Sequence, residues 1–354
     1  STQRSLLLIH DTMLFRARAP LRLGLAGGGT DVSPFCDLHG GYVLNATIDR
    51  YAYAVLQPHE AREIRFAATD QEVAVTLSAD EQVELDPALM LHRAVYRHFV
   101  DRYHEGVNIP LTLTTYCDAP VGSGLGASST LVVAMIRVFS EFLNIPLDDY
   151  AIAGLAYDIE REVCGLAGGR QDQFSACFGG FNFMEFYSEK RALVNSLRIK
   201  NHIICELEAS LVLFYTGVSR ESARIISDQS RNVSAGQEQA LEAMQGLKQE
   251  ALSMKESLLK GDFEGIVESM RLGWENKKRS AATVSNPHTE QIYSAATAAG
   301  ASAGKVSGAG GGGFMLFFVN PESRMDVIRA LSRFEGQSSN CHFTKTGAQA
   351  WSVK

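Results

Sequence analysis

A mixed α and β protein of two domains is predicted by three features of the chain. Partly alternating apolar runs fill its first third, as extended backbone with one buried face requires. Its middle and the stretch 221–278 instead carry apolar residues at helical spacing. The length of 354 residues exceeds what one hydrophobic core ordinarily serves, and a polar stretch over 187–202 reads as a crossover between two units. The expected domains are 14–195 and 196–354.

Composition narrows the class. With 45% hydrophobic and 21% charged residues the chain reads as a soluble globular protein. No apolar run approaches the roughly 18 residues of a membrane span, and no signal peptide is visible. A net charge of −7 argues against nucleic-acid or anionic-membrane partners. The six cysteines show no C-x-x-C spacing, which predicts reduced thiols and neither zinc nor a disulfide framework. The cytoplasm is the expected location, and residues 1–13 read in part as an extension ahead of the first domain.

The run from Leu14 to Leu25 sets Arg16, Arg18 and Arg22 among apolar residues. It ends in Ala26-Gly27-Gly28-Gly29-Thr30-Asp31, a glycine turn whose carboxylate suits either turn formation or ligand holding. Strands follow at Val43–Ile48, Tyr51–Leu56 and Val73–Leu77, then a helix from Ala88 to His104. The most informative stretch comes next. Leu111–Tyr116 alternates as a strand, Pro120 breaks it, and Gly122, Gly124 and Gly126 form a loop able to approach a ligand closely. Ser128, Ser129 and Thr130 open a helix whose core side includes Leu131, Val132, Met135, Ile136 and Phe139. A glycine loop feeding a helix N-terminus offers free N–H groups and a positive dipole end, which suits phosphate, and hydroxyls there suit Mg2+. The same residues also serve as a plain turn with a Ser cap. No G-K-[ST] follows, so this is no Walker A loop.

Asp148 caps a further helix bearing Ile152, Leu155, Ala156, Ile159 and Val163. Glu160 and Glu162 stand near its C-terminal end, where carboxylates oppose the helix dipole; this raises a metal role for them. Asp172, flanked by amides and preceded by Arg170 and two glycines, reads as a held acid or as a helix cap. Phe181–Phe186 and Leu211–Tyr215 are strands. Across 221–278, Gly261 ends one helix and Asp262 caps the next. The many charges of this region form a solvated face, although Arg220, Arg224, Lys277 and Arg279 are candidates to reach a second phosphate. The run Gly304–Phe314 contains G-x-G-x-x-G at Gly308, Gly310 and Gly313, but a strand-like run follows it, so the dinucleotide reading fails. A helix from Pro321 to Phe334 and a strand from Cys341 to Thr346 complete a small α+β unit.

Three separated motifs in this order resemble those of the GHMP kinases. They are Arg18–Asp31 (R-A-P-L-R-L-G-L-A-G-G-G-T-D), Pro120–Ser129 (P-V-G-S-G-L-G-A-S-S) and Lys305–Gly313 (K-V-S-G-A-G-G-G-G). The resemblance implies an α+β, two-domain GHMP kinase fold, with a ribosomal protein S5 domain 2-like N-terminal domain and a ferredoxin-like C-terminal domain. ATP and Mg2+ would meet the acceptor in the cleft between them. Pro120, Gly122, Ser123, Gly124, Leu125, Gly126, Ala127, Ser128 and Ser129 match the nucleotide-binding segment. Ser128 and Glu160 match the Mg2+ ligands, Asp172 the acid that takes the acceptor's proton, and Arg22 the cation assisting the hydroxyl and the γ-phosphate. Asp31 matches the carboxylate that holds sugar hydroxyls, with Gly28, Gly29, Arg170, Gly310 and Gly311 assigned to the same substrate side.

One departure bears on substrate. Galactokinases have Glu-His where this chain has Gly28-Gly29, which argues against galactose. The run L-R-L-G-L-A-G-G-G-T-D-V-S-P, with G-G-Y-V-L-N-A-T-I after it, looks most like the branch that phosphorylates D-glycero-D-manno-heptose 7-phosphate on its anomeric O1 for nucleotide-heptose and surface-polysaccharide synthesis. Fucokinase domains share a related first motif and are the alternative. A decarboxylase of the same fold and a non-catalytic binding protein derived from a kinase are disfavoured by the sugar-like first motif and by joint retention of Ser128, Glu160, Asp172 and Arg22. The expected partner is a small-molecule sugar phosphate, with a homodimer the oligomer to test.

Overall fold

The computed structural model describes residues 13–120, 122–217 and 222–354. Its N-terminal sheet is built on two long antiparallel strands, β1 (Leu14–Ala26) and β2 (Gly41–Pro58), separated by a short helix, α1 (Phe35–His39). β3 (Glu63–Ala68) and β4 (Val73–Ser78) form a hairpin. α2 (Met90–Tyr103) then leads to β5 (Leu111–Cys117), which lies between β2 and β3. The register of β1 on β2 shifts between Pro20 and Arg22. Proline has no N–H for the ladder, which accounts for a break there.

α3 (Ala127–Phe142) packs on β1 and β2, and its apolar residues meet Val95 and Phe99 of α2 in the first core. α4 (Asp149–Asp158) begins at the Asp148 cap, whose carboxylate accepts from Ala151 N, and runs into one π-helical turn, Ile159–Val163. α5 (Gln171–Phe178) follows; β6 (Phe181–Phe186) pairs with the first half of β2, and β7 (Ala192–Ser196) with β6.

The C-terminal unit opens with α6 (Asn201–Ser210) and β8 (Leu211–Tyr215). Four helices follow: α7 (Ser222–Ser234), α8 (Glu238–Lys260), α9 (Phe263–Ser280) and α10 (Pro287–Ala298). Then come β9 (Ala301–Val306), β10 (Phe314–Val319), α11 (Arg324–Leu331) and β11 (Gln337–Ser339). The sheet order β11-β8-β10-β9, with every pair antiparallel, is the ferredoxin-like arrangement. The unbroken apolar runs of β8 and β10 are explained by burial on both faces. Leu213 and Leu316 enter a core shared with Leu21, Leu23 and Leu25 of β1, while Phe214 and Phe317 enter a separate core with Trp274 and Ile292. The two units therefore meet through a common hydrophobic core at the end of β1.

Several expectations are corrected. Val43–Ile48 and Tyr51–Leu56 are parts of one strand, β2. No strand spans Cys341–Thr346: Phe343 makes an isolated bridge to Ile48, its ring packs 4.7 Å from that of Phe181, and Cys341 is buried. The alternating side chains of that segment find packing partners but no continuous backbone ladder. The strands at this end of the chain are β11 and β12 (Gln349–Val353), and β12 pairs with β1. Residues 349–353 thus complete the sheet of the first unit, although the expected boundary lay before them. The helix expected from Pro321 to Phe334 is a 3-10 turn, Pro321–Ser323, followed by α11.

Candidate active site

The central glycine loop is fixed from both sides by the other two motifs. Gly124 O accepts hydrogen bonds from Arg22 Nη1 at 2.7 Å and from Ser307 Oγ at 2.9 Å. Arg22 N donates to Leu125 O at 3.2 Å, and Phe314 N donates to Ser123 O at 2.8 Å. A Cβ on Gly124 would overlap Ser307 O, so the contact requires glycine. The loop ends at Gly126, left-handed with φ of 76°, and α3 starts there with no side-chain cap on its N-terminus. Beyond it opens a cleft of about 760 Å³ lined from both units, including Arg22, Gly29, Gly126, Ser128, Glu160, Asp172, Lys277 and Gly308.

Asp172 stands in the first turn of α5, and its position traces to Asp31. The Asp31 carboxylate is buried at 2% exposure and accepts from Arg170 N (2.8 Å), Gln171 N (3.0 Å), Gly29 N (3.2 Å) and Gln171 Nε2 (3.4 Å). A Cβ on Gly169 would overlap this carboxylate, which accounts for the glycine. Asp31 therefore ties the first-motif turn to the start of α5 and spends its acceptor capacity on the chain itself. With α5 so anchored, Asp172 Oδ1 sits 2.6 Å from Arg22 Nε, its side chain still partly open to the cleft.

Glu160 occupies the π-helical turn after α4, where the extra residue per turn directs it into the cleft wall. Ser128 Oγ donates to its Oε1 at 3.3 Å, while Gln173 Nε2 donates to Oε2 at 2.5 Å and to Ser129 Oγ at 3.1 Å. Burial pushes the Glu160 carboxyl above its ordinary range; Arg161 and the hydrogen bonds from Ser129 and Gln173 oppose that shift. Two oxygens 3.3 Å apart fit one edge of an octahedral Mg2+ shell, in which neighbouring oxygens lie about 3 Å apart for bonds of about 2.1 Å. Among the described residues no group of three or more His, Cys, Asp or Glu could hold a metal, so an ion here would take its remaining ligands from phosphate and water.

From the C-terminal unit, α9 supplies Lys277 to the cleft. Its Nζ donates to Gly308 O at 2.5 Å and to Gly28 O at 3.3 Å, linking the third motif to the first. Burial first, and Arg22 second, lower its ammonium to about 8, with Asp31 and Asp172 acting in the other direction. Lys305, at the head of the third motif, donates to Gly24 O (2.9 Å) and Leu25 O (3.2 Å), and burial lowers its ammonium well below the usual range.

The structure brings together Arg22, Asp172, Ser128 and Glu160, with Gly122, Gly124, Gly126, Ala127, Ser129, Gly29 and Asp31 also on the cleft wall. Other expected positions stand apart. Leu125 points into the shared core, Ser123 is buried beneath the loop, and Pro120 is exposed outside the cleft lining. Gly28 meets the site through its carbonyl on Lys277. Arg170 turns behind it, bonded to Tyr187 O at 2.9 Å and Asp37 Oδ1 at 3.3 Å, because its backbone N–H serves Asp31 and its side chain leaves on the other side. Gly310 and Gly311 pack on the segment before α10, where Gly311 N donates to Val284 O at 2.7 Å, and Gly308 and Ala309 face the cleft in their place. Arg279 pairs with Glu242, Arg224 is exposed off the cleft lining, and Arg220 lies outside the described residues. Gln171, Gln173 and Arg161 were not singled out in the sequence; the amides flanking Asp172 were the available signal.

Two α+β units, a glycine loop opening a helix in the cleft between them, and an Arg–Asp pair beside a Ser–Glu pair define the class. The chain belongs to the GHMP kinase family: models described as GHMP kinases N terminal domain and GHMP kinases C terminal match residues 90–180 and 254–336. It is 46% identical over 338 residues to the D-glycero-alpha-D-manno-heptose 7-phosphate kinase of Campylobacter jejuni, covering 96% of this chain and 99% of that one. A solved structure of a D-glycero-D-manno-heptose 1-phosphate kinase from Bacteroides thetaiotaomicron superposes with a TM-score of 0.81 at 40% identity, over 96% of this chain and 99% of that one. The bifunctional fucokinase/GDP-fucose pyrophosphorylase of Arabidopsis thaliana is 24% identical over 90% of this chain and 32% of its own length. No helix among the described residues is long and apolar enough to cross a membrane.

Proposed function

We propose that this protein transfers the γ-phosphoryl group of ATP to the anomeric O1 of D-glycero-D-manno-heptose 7-phosphate, forming the 1,7-bisphosphate. The observation that carries the reading is the Arg22–Asp172 pair, with Oδ1 2.6 Å from Nε, held at the mouth of the uncapped helix α3. Identity to a heptose 7-phosphate kinase over nearly the whole of both chains supports the acceptor. The two heptose kinases differ in the phosphate their names assign. Only the 7-phosphate leaves O1 free, so it suits transfer to the anomeric oxygen. The fucokinase alternative has the weaker support of 24% identity to a third of a larger chain.

In this reading the loop 122–126 and the first amides of α3 hold the triphosphate of ATP. Ser128 and Glu160 are the residues that would hold Mg2+, which neutralises charge on the phosphate oxygens. Asp172 accepts the O1 proton and aims O1 along the line of displacement. Arg22, fixed through Gly124 O, bridges that carboxylate and the transferring group. Asp31 holds α5, so that Asp172 needs no reorganisation. Positioning and fixed charge supply most of the rate in such a transfer.

The test is ADP release with MgATP across heptose 7-phosphate, heptose 1-phosphate, fucose, galactose, mannose and mevalonate, with Asp172→Asn as the control. Asp172-dependent turnover of heptose 7-phosphate alone is expected. Preferred turnover of fucose would keep the chemistry and discard the acceptor.

A further inference from the structure

Among the described residues three cations line the cleft, and two of them have carboxylate partners. Arg22 is paired with Asp172, and Arg161 lies 3.8 Å from Glu160 while also bonding Gly169 O. Lys277 is different. Among the described residues it makes no ion pair, and its ammonium, almost wholly buried, rests on two backbone carbonyls, Gly28 O and Gly308 O. Its direct partners are neutral dipoles, and the carboxylates of Asp31 and Asp172 act on it without pairing, so an arriving anion would supply the direct charge partner that it lacks.

The space beside it has a defined shape. At Gly28 the position a Cβ would take lies 3.5 Å from both Lys277 Nζ and Gln171 Nε2. The absent side chain therefore leaves a position flanked by two nitrogen donors, and both of their residues, Lys277 and Gln171, line the cleft. Gln171 is itself buried, and its Nε2 donates to Asp31 Oδ1 at 3.4 Å, which leaves the second N–H of the amide for a ligand oxygen. We propose that Lys277, assisted by Gln171, binds the phosphate that the acceptor already carries, and thereby selects a phosphorylated sugar over the free sugar. The two glycines in the first motif are part of the same device, because side chains there would fill the space. This inference rests on the reading of the acceptor as a sugar phosphate.

The charged groups around the ammonium are Arg22 on β1, Asp31 on the turn after it, Asp172 on α5 and Lys305 on β9. Since burial lowers Lys277 to about 8, its charge declines as pH rises from 7 to 9. A phosphate monoester is already a dianion over that range.

The experiment compares kcat/KM for heptose 7-phosphate and for the same heptose without phosphate, in wild type, Lys277→Met and Lys277→Arg, with KM for ATP alongside. Loss of one charge-assisted contact predicts about a 30-fold fall for the phosphorylated acceptor in Lys277→Met. A fall of less than about threefold is expected for free heptose, so selectivity collapses, and KM for ATP stays within about twofold. Equal losses on both acceptors would instead assign Lys277 to the transferring phosphoryl and overturn the proposal. Should the Met variant not fold, the pH series decides. The acceptor KM of wild type is expected to rise from pH 7 to 9 and that of Lys277→Arg to stay level; parallel profiles overturn the proposal. Wild-type use of free heptose but not heptose 7-phosphate overturns this inference and the functional reading together. Use of heptose 7-phosphate with selectivity intact in Lys277→Met overturns this inference alone.

Discussion

The two glycine loops, 122–126 and 308–313, are alike in composition and in their positive φ angles, and they do different work. The first faces the cleft: its carbonyl at Gly124 fixes Arg22, and Gly126 lets Asp172 approach so closely that a Cβ would stand 3.0 Å from its Cγ. In the second, only Gly308 and Ala309 reach the cleft; Gly310 lies where a Cβ would be 2.6 Å from Val284 O, and Gly311 is bonded to the same residue. A glycine run records that backbone must come close to something. It does not say whether that something is a ligand or another strand of the same chain.

The sharpest way to break this comparison is at Asp172, the acid of α5 that packs against the cleft-facing loop at Gly126. Asp172→Asn is expected to lower kcat by at least about a hundredfold, the usual scale for a group that moves a proton. Circular dichroism and the melting temperature should stay near wild type. Near-normal turnover would remove Asp172 from the chemistry and with it the case for a catalytic wall. A smaller effect is expected from Ser128→Ala, which removes one of the two oxygens 3.3 Å apart. The Mg2+ concentration for half-maximal rate should rise about tenfold, judged from losses at metal-site residues generally. An unchanged Mg2+ titration would count against the Ser128–Glu160 site.

Gly310→Ala tests the supporting loop. With φ of 115° and the Val284 carbonyl in the way, alanine should cost about 1–3 kcal/mol of stability. Yet kcat and both KM values should remain within about twofold for the folded fraction, measured below the lowered melting point. A tenfold loss of kcat with an unchanged melting temperature would show that Gly310 belongs to the site after all.

Much of the fold was legible because local pattern and tertiary structure agree. Helix α3 is apolar and buried along most of its length from Leu131 to Phe142, and Asp148 and Asp262 cap helices through their side chains as their positions suggest. The segment Cys341–Thr346 misled because alternation reports which side chains are buried, not whether a neighbouring strand lies within reach. In the site, Arg22 and Ser128 lie within the motifs, whereas Glu160 was marked by its place at a helix end and Asp172 by its flanking amides; the fold sets the four as two pairs on one cleft. The work of Asp31 was not, since nothing in a glycine turn reveals that its carboxylate will be consumed by amides 139 and 140 positions away. The π turn at Glu160 was hidden for a similar reason, since periodicity across Ile159 and Val163 reads the same with or without one extra residue.

The smallest effects separate the cations. Arg224, Lys277 and Arg279 were equivalent in the sequence, three basic residues on helices of one charged region, and any of them could serve a substrate phosphate. The fold divides them by where each helix points it. Lys277 is carried inward to the glycine carbonyls, Arg279 is paired with Glu242 at 3.3 Å, and Arg224 is exposed to solvent. Exposed charges interact with a ligand through water and salt, and are worth little beyond about 10 Å. Arg224→Ala and Arg279→Ala should therefore leave the acceptor KM within about twofold at moderate ionic strength. A tenfold rise in either would mean that α7 or the end of α9 closes on the bound acceptor, and the cleft geometry described here would then be that of the open enzyme.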